Sequence, residues 1–187
     1  WRECSVVLND TQKMVRDTAR AFAREQVLPF TREWERAGAF PPAMLAAMGE
    51  LGFLGLTYPE EYGGQGGDYY CALVLAEEMT HANCGGLGMG IAVHTDMATP
   101  PIHLFGTEEQ KARYLKPLMD GEIVSCFSMT EPATSGSDPR NLAASAELDG
   151  DEWVLNGEKW WSSGIGDPRC KVLIVMCVTE PDAARHS

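Results

Sequence analysis

A chain of 187 residues is long enough for one large domain or two small ones, and its 44% hydrophobic content is that of a globular protein with a buried core. The formal net charge of -12, from 27 acidic against 15 basic residues, argues against nucleic acid or an anionic membrane surface as a partner, because a polyanion would be repelled. No apolar run approaches the roughly 18 residues a membrane span needs, and Trp1-Arg2-Glu3-Cys4-Ser5 does not read as a secretory leader.

The first two thirds read as helices. Asn9 or Asp10 caps a helix whose apolar positions Met14, Val15, Ala19, Phe22 and Ala23 recur at helical spacing, and Pro29 kinks or ends it. A short amphipathic piece with Phe30 and Trp34 follows and stops at Gly38. Pro41-Pro42 opens a helix to about Leu51, with Gly52 suited to the left-handed cap. The stretch 58–67 is too rich in Gly and Pro for regular structure and reads as a loop; helix returns from Asp68 to about Thr80. A small-residue segment, 85–98, leads to Pro100-Pro101. Thr107-Glu108-Glu109-Gln110 is a capping box opening a helix through Tyr114 and Leu115 that ends by Gly121.

Beyond Gly121 the period shortens. Residues 123–129, 142–148 and 153–161 have the β-branched or alternating look of strands, Asn156-Gly157 carries the signal of a hairpin turn, and 171–178 reads as a buried strand. Helices first and strands second predict an α+β fold: an N-terminal all-helical domain over residues 1–121, then an incomplete antiparallel β-domain over residues 122–187. The last residues, 181–187, add no closing strand. The six cysteines (4, 71, 84, 126, 170 and 177) form no CxxC pair and no zinc-ligand spacing with histidine; Cys71, Cys126 and Cys177 sit in apolar stretches and read as buried thiols in a reducing compartment. No metal site is predicted.

Several groupings invite chemistry and read better as structure. Gly85-Gly86-Leu87-Gly88-Met89-Gly90 follows a helix, whereas a phosphate cradle follows a strand, so close helix packing is the expectation. His94-Thr95-Asp96 has neighbouring residues that do not face each other on a helix. Glu60-Glu61 and Glu77-Glu78 read as a solvated loop and a solvated face. Two other stretches carry more. Cys126-Phe127-Ser128-Met129-Thr130-Glu131-Pro132-Ala133-Thr134-Ser135-Gly136-Ser137-Asp138 is a strand running into a loop dense in hydroxyls, which reads equally as a corner or as a site for a polar, flat or anionic ligand. In Gly157-Glu158-Lys159-Trp160-Trp161-Ser162-Ser163-Gly164, two adjacent tryptophans on a strand point to opposite faces, which suits either packing on both sides or one indole in a cleft.

Taken together, Thr-Glu-Pro with its Gly-Ser-Asp loop and Asn-Gly-x-Lys-x-Trp after a strand resemble the acyl-CoA dehydrogenase family. Gly52-Phe53-Leu54-Gly55-Leu56, Pro59-Glu60-Glu61-Tyr62-Gly63-Gly64 and Gly106-Thr107-Glu108-Glu109-Gln110-Lys111 match it in the helical half, in order and spacing. The resemblance implies a helical domain, a central β-domain and a C-terminal helical bundle that this chain lacks. It implies FAD as cofactor, with Phe127, Met129 and Thr130 along the isoalloxazine and Thr130 bonding the ring edge. Ser137 would lie near the pyrophosphate and the CoA end of the substrate, Trp161 would flank the flavin, and Ser162 and Ser163 would follow, Ser163 beside N5 where the family usually has Thr.

The implied reaction is flavin-dependent α,β-dehydrogenation of an acyl-CoA, with an electron-transfer flavoprotein as acceptor and a homo-oligomer, dimer or tetramer, as the assembly. The family's catalytic base lies in the C-terminal bundle, beyond Ser187, so no catalytic residue is assigned. The loop between Thr130 and Asp138, one residue longer than in the short- and medium-chain enzymes, and Trp161-Ser162-Ser163 look closer to the branch fused in animals to a kinase-like domain and to its bacterial relatives. Alternatives are an acyl-CoA oxidase, a nitroalkane-oxidase-like enzyme, or a truncated protein that only binds. The expected compartment is the cytoplasm in a bacterium, or the mitochondrial matrix or peroxisome in a eukaryote.

Overall fold

A computed structural model describes residues 7–39 and 41–181, and the chain divides after Ile123 into two compact units. The readings made of residues 1–5 and of the tail beyond Pro181 lie outside the described residues.

The first unit is built of helices whose ends are set by local chemistry. Helix α1, Asp10–Phe22, starts at Asn9, whose side chain accepts from the Gln12 amide at 2.8 Å while the Gln12 side chain accepts from the Asn9 amide at 2.9 Å. Val15, Ala19 and Phe22 form its buried face. Helix α2, Thr31–Ala37, closes on Gly38 at φ 65°, and α3, Pro42–Glu50, starts on its proline. Asp68 caps α4, Tyr69–Thr80, and itself accepts from the side-chain Nε2 of Gln12 at 2.7 Å. Helices α5, Gly85–Ala92, and α6, Pro100–Phe105, lead to α7, Glu108–Met119, which Thr107 and Gln110 cap reciprocally.

Two wide π turns interrupt this series, Ala23–Val27 after α1 and Val93–Ala98 after α5. Each ends two residues before a proline, Pro29 or Pro100. A proline has no N–H to give, and its ring crowds the carbonyl four residues back, so the preceding turn relaxes to an i→i+5 bond. Those bonds run from the Leu28 amide to the Ala23 carbonyl at 2.8 Å and from the Thr99 amide to the His94 carbonyl at 3.2 Å.

The core of this unit joins α1, α3, α4 and α5 through Phe22, Met48, Leu54, Met79 and Leu87, with Phe22 edge-on to Phe53 at 6.0 Å. Two readings need correction here. Glu78 is not on a solvated face: it is 2% exposed, and the Arg20 guanidinium grips it with bonds of 2.9 and 2.6 Å, joining α1 to α4. The fork lowers the Glu78 carboxyl below its usual range. The glycine run does lie on a helix, but Gly85 and Gly88 would have nothing within 4 Å of an added β-carbon, so these two are not sites of close packing. His94 is buried, with Nε2 donating to the Leu118 carbonyl at 2.9 Å. No described helix is long and apolar enough to cross a membrane.

The second unit contains two strand pairs. β2, Ser145–Asp149, and β3, Glu152–Asn156, are antiparallel, whereas β1, Val124–Ser128, and β4, Cys170–Val175, run parallel. The expectation of a wholly antiparallel domain is corrected by this second pair. The long connection between β1 and β4, which contains the β2–β3 hairpin, brings the chain back to its starting end and makes parallel pairing available. The hairpin turn is Gly150-Asp151, with φ 61° at Gly150, the glycine-first pattern of a type II′ turn; Asn156-Gly157 is not a turn between strands. β4 is half-buried and not fully covered, and Cys177 is likewise only half-buried. Cys71, Cys84 and Cys126 are buried free thiols.

Candidate functional site

The site predicted from the sequence lies in the second unit, where the β1 exit meets the segment after β3. β1 buries Val124, Ser125, Cys126 and Ser128 and leaves Phe127 half-buried, so the chain leaves the strand with Met129 half-buried and Thr130 exposed. The Cys126 thiol is pushed up to about 11 by burial, with Cys170 beside it, and stays protonated.

Three bonds lay residues 159–162 alongside residues 128–130. The Trp160 amide donates to the Thr130 carbonyl at 2.8 Å, the Lys159 ammonium donates to the Met129 carbonyl at 3.1 Å, and the Ser128 and Ser162 hydroxyl oxygens are 2.7 Å apart. The structure therefore brings the backbone of Met129 and Thr130 beside the segment that carries Ser162, with Phe127, Trp161 and Ser163 adjoining them along the two stretches. Ser137 is exposed on the hydroxyl-rich loop: its hydroxyl bonds that of Ser135 at 3.1 Å, and its neighbour Gly136 comes back towards the Thr130 backbone.

Segment 157–163 reaches this position because Gly157 passes close to Ala144, where an added β-carbon would stand 2.6 Å from the Ala144 β-carbon. The tryptophans are not on a strand, and the reading that placed them on opposite faces is corrected. Trp161 has φ 56°, a left-handed conformation rare for a bulky residue. That reversal turns its indole onto the ring of Trp160, with centroids 5.0 Å apart and planes at 25°. The Ser163 amide then bonds the Trp161 carbonyl at 2.8 Å across a three-residue turn. Holding Trp161 there costs about 1–3 kcal/mol and leaves it 72% exposed.

Sequence reasoning assigned no role to Glu131 or Lys159. Glu131 is 5% exposed; one carboxylate oxygen accepts from the Lys159 ammonium at 2.7 Å and the Ala144 amide at 2.9 Å, the other from the Ala143 amide at 2.7 Å and the Thr134 hydroxyl at 3.2 Å. The bond from Lys159, then those from the Ala143 and Ala144 amides, hold the Glu131 carboxyl down at about 2. Asp138 and Asp167 are likewise committed, each forked by an arginine, Arg140 and Arg169. The surface offers hydroxyls at Thr130, Ser162 and Ser163 beside an exposed pair of indoles, a set that suits a flat ring with polar edges. Separately, the helical unit has a partly open apolar pocket of about 190 Å³ lined by Phe53, Tyr58, Leu75, Met79 and Ile91 among others. Among the described residues no group of three His, Cys, Asp or Glu side chains is placed to hold a metal ion.

Residues 9–122 match the family model described as acyl-CoA dehydrogenase, N-terminal domain, and residues 126–187 match acyl-CoA dehydrogenase, middle domain. Among curated proteins, the probable acyl-CoA dehydrogenase YngJ of Bacillus subtilis is 39% identical over 172 residues, 92% of this chain and 44% of that protein. Among solved structures, acyl-CoA dehydrogenase from Geobacillus kaustophilus superposes with a TM-score of 0.83 at 36% identity, covering 94% of this chain and 45% of that one. Acyl-CoA dehydrogenase complexed with FAD from Bacillus anthracis gives a TM-score of 0.71 at 36% identity, over 82% of this chain and 26% of that one. The chain thus spans less than half the length of these relatives.

Proposed function

Since the chain belongs to the acyl-CoA dehydrogenase family, we propose that it supplies the helical domain and the flavin-facing edge of an FAD-dependent enzyme that oxidises the Cα–Cβ bond of an acyl-CoA thioester. The observation that carries this reading is the 2.8 Å bond from the Trp160 amide to the Thr130 carbonyl, which sets two stretches thirty residues apart side by side. A relative of this fold is described as complexed with FAD, and the hydroxyls and exposed indoles along this seam fit such a ring.

In this reading Phe127 and Met129 lie along the isoalloxazine, the Thr130 hydroxyl bonds its edge, and Trp161 flanks it with Ser162 and Ser163 beyond. Ser137, out on its loop, faces the pyrophosphate and the CoA end of the substrate. The flavin supplies the electron sink when bound; the protein supplies orientation and a dry surface. The catalytic base is not among the carboxylates of this site. Glu131 is held at about 2 by Lys159 and two backbone amides, too weak a base to draw a proton from carbon near neutral pH. Asp138 and Asp167 are occupied by arginines. The partners that go with this reading are an acyl-CoA, an electron-transfer flavoprotein as acceptor, and further copies of the protein in a dimer or tetramer.

The test is anaerobic addition of acyl-CoA to the complete protein, followed in the visible flavin bands and then by admission of air. Bleaching by acyl-CoA with slow return in air is the expected result. Replacing Thr130 by Val, which keeps the shape and removes one hydroxyl, is expected to slow bleaching about tenfold, the equivalent of one hydrogen bond. A complete protein without flavin would defeat the proposal, and rapid return in air would move the assignment to an oxidase.

A further inference from the structure

The Glu131–Lys159 pair has a geometry beyond what is needed to tie down a loop. The carboxylate accepts four bonds, two on each oxygen, from three separate stretches: Thr134 in the hydroxyl-rich loop, Ala143 and Ala144 before β2, and Lys159 after β3. Lys159 reaches back past it to the Met129 carbonyl, and the next residue, Trp160, holds the Thr130 carbonyl. Two consecutive carbonyls of the β1 exit are thus pinned by two consecutive residues of the other stretch. The Glu131 side chain is buried and that of Lys159 is 12% exposed, so the carboxylate end cannot be exchanged for water without moving backbone. The pair stands one residue from Thr130 and two from Trp161.

We propose that Glu131 and Lys159 are positioning residues, fixing the separation and orientation of the Thr130 hydroxyl and the Trp161 indole and thereby the seat of the flavin ring. The inference rests on the flavin reading above. It follows from rigidity: a seat made of exposed loop residues, one of them in a strained conformation, keeps its geometry only if the backbone beneath is over-determined. The carboxylate and ammonium provide this with charge-assisted bonds that need both charges present. An amide in place of the carboxylate would aim an NH2 group at donors that now find an oxygen. A methionine in place of the lysine would fill the space and leave both Met129 and Glu131 without that donor.

The experiment uses the complete protein with its flavin and compares the unaltered form with Lys159→Met, Lys159→Arg and Glu131→Gln. FAD affinity is read from the fluorescence of released flavin, seat geometry from the shape of the visible flavin bands, and folding from the far-ultraviolet melting curve. Lys159→Met and Glu131→Gln are each expected to weaken FAD binding at least tenfold and to blur the band structure, while Lys159→Arg, which keeps the charge, stays within about threefold of the unaltered protein. If Lys159→Met does not fold, Glu131→Gln carries the same comparison with almost no change of volume. Unchanged FAD affinity and band shape in a folded Lys159→Met or Glu131→Gln protein, even with a lower melting temperature, would reduce the pair to a structural brace and overturn the inference. Equal weakening by Lys159→Arg and Lys159→Met would also overturn it, since the charge would then not matter. An unaltered protein that binds no flavin would defeat the flavin reading itself, an outcome distinct from the other two.

Discussion

The two units of the chain are held together by different physics. In the helical unit each long helix turns an apolar face to its neighbours, and Met48, Leu54, Leu87, Leu115 and Leu118 are fully buried. In the β unit the buried apolar side chains among the described residues are small, Val124, Cys126, Ala144 and Ala146, while Leu148, Trp153, Val154 and Leu155 of the hairpin stand exposed. Two-stranded sheets have little area to bury and are marginal by themselves. What orders the β unit is directed bonding: the Glu131 carboxylate, the Lys159 ammonium, the Ser128–Ser162 hydroxyl pair and the amide of Trp160. Burial of area tolerates small displacements, but hydrogen bonds weaken steeply once distance and angle are lost. A surface whose geometry must stay fixed is therefore better placed on the second kind of scaffold than on the first.

The contrast is broken most directly by cutting area from the helical unit. Leu118 is fully buried, and Leu118→Ala is expected to cost about 3 kcal/mol, read as a lower urea midpoint for the helical signal. The amide protons of residues 143–160 should keep their exchange rates if the β unit is ordered by its own polar bonds. Loss of protection there in step with the helices would show that the two kinds of order are one. The complementary change adds a single carbon to the β unit. Gly157→Ala puts that carbon 2.6 Å from the Ala144 β-carbon at φ 148°, so the strand exit must shift, at a cost of about 2 kcal/mol. Faster exchange and proteolysis around residues 143–163, with an unmoved helical midpoint, is the expected pattern.

These regions also differ in how much of them was legible beforehand. The capping box at Thr107, the stop at Gly38 and the start at Pro42 are local chemistry and stand where the sequence pattern placed them; of Asn9 and Asp10 it is Asn9 that caps, and Asp68, read as the first residue of its helix, is the cap before it. Glu78 was misread because adjacent residues on a helix face different ways: Glu77 meets solvent while Glu78 turns inward to an arginine 58 residues away. In the β unit the misreadings are tertiary. Asn156-Gly157 has the residues of a type I′ hairpin turn, yet its glycine is required by the approach of Ala144 from another segment; the real turn, Gly150-Asp151, has glycine first, the type II′ order. The positive φ of Trp161 broke the alternation on which opposite-facing indoles depended. Grouping of residues 127–130 with 161–163 was legible only through the family's motifs, and Glu131 with Lys159 lie 28 residues apart at a spacing that signals nothing until the backbone is folded.

The smallest effect at neutral pH sharpens the comparison through acid. Burial holds the His94 imidazole below its ordinary value of 6.5, against the modest upward pull of the Leu118 carbonyl. The unfolded chain takes up that proton first, so the contribution of His94 to the helical unit is complete above about pH 6.5 and declines as pH falls towards the lower folded value. Glu131 is depressed from 4.5 to about 2, so its contribution to the β unit is complete above about pH 4.5 and is lost as pH falls through that range towards 2. Between pH 6.5 and 4.5 the helical unit should therefore lose stability while the β unit keeps its own. His94→Gln, which retains an amide donor for the Leu118 carbonyl and cannot titrate, should flatten the helical loss in that interval and leave the β unit's behaviour below pH 4.5 unchanged. Helical melting curves and hydrogen exchange of residues 143–160, taken at half-unit steps of pH, test both halves. A His94→Gln protein with the same slope as the unaltered one would assign the loss to another group and remove the separation of the two windows.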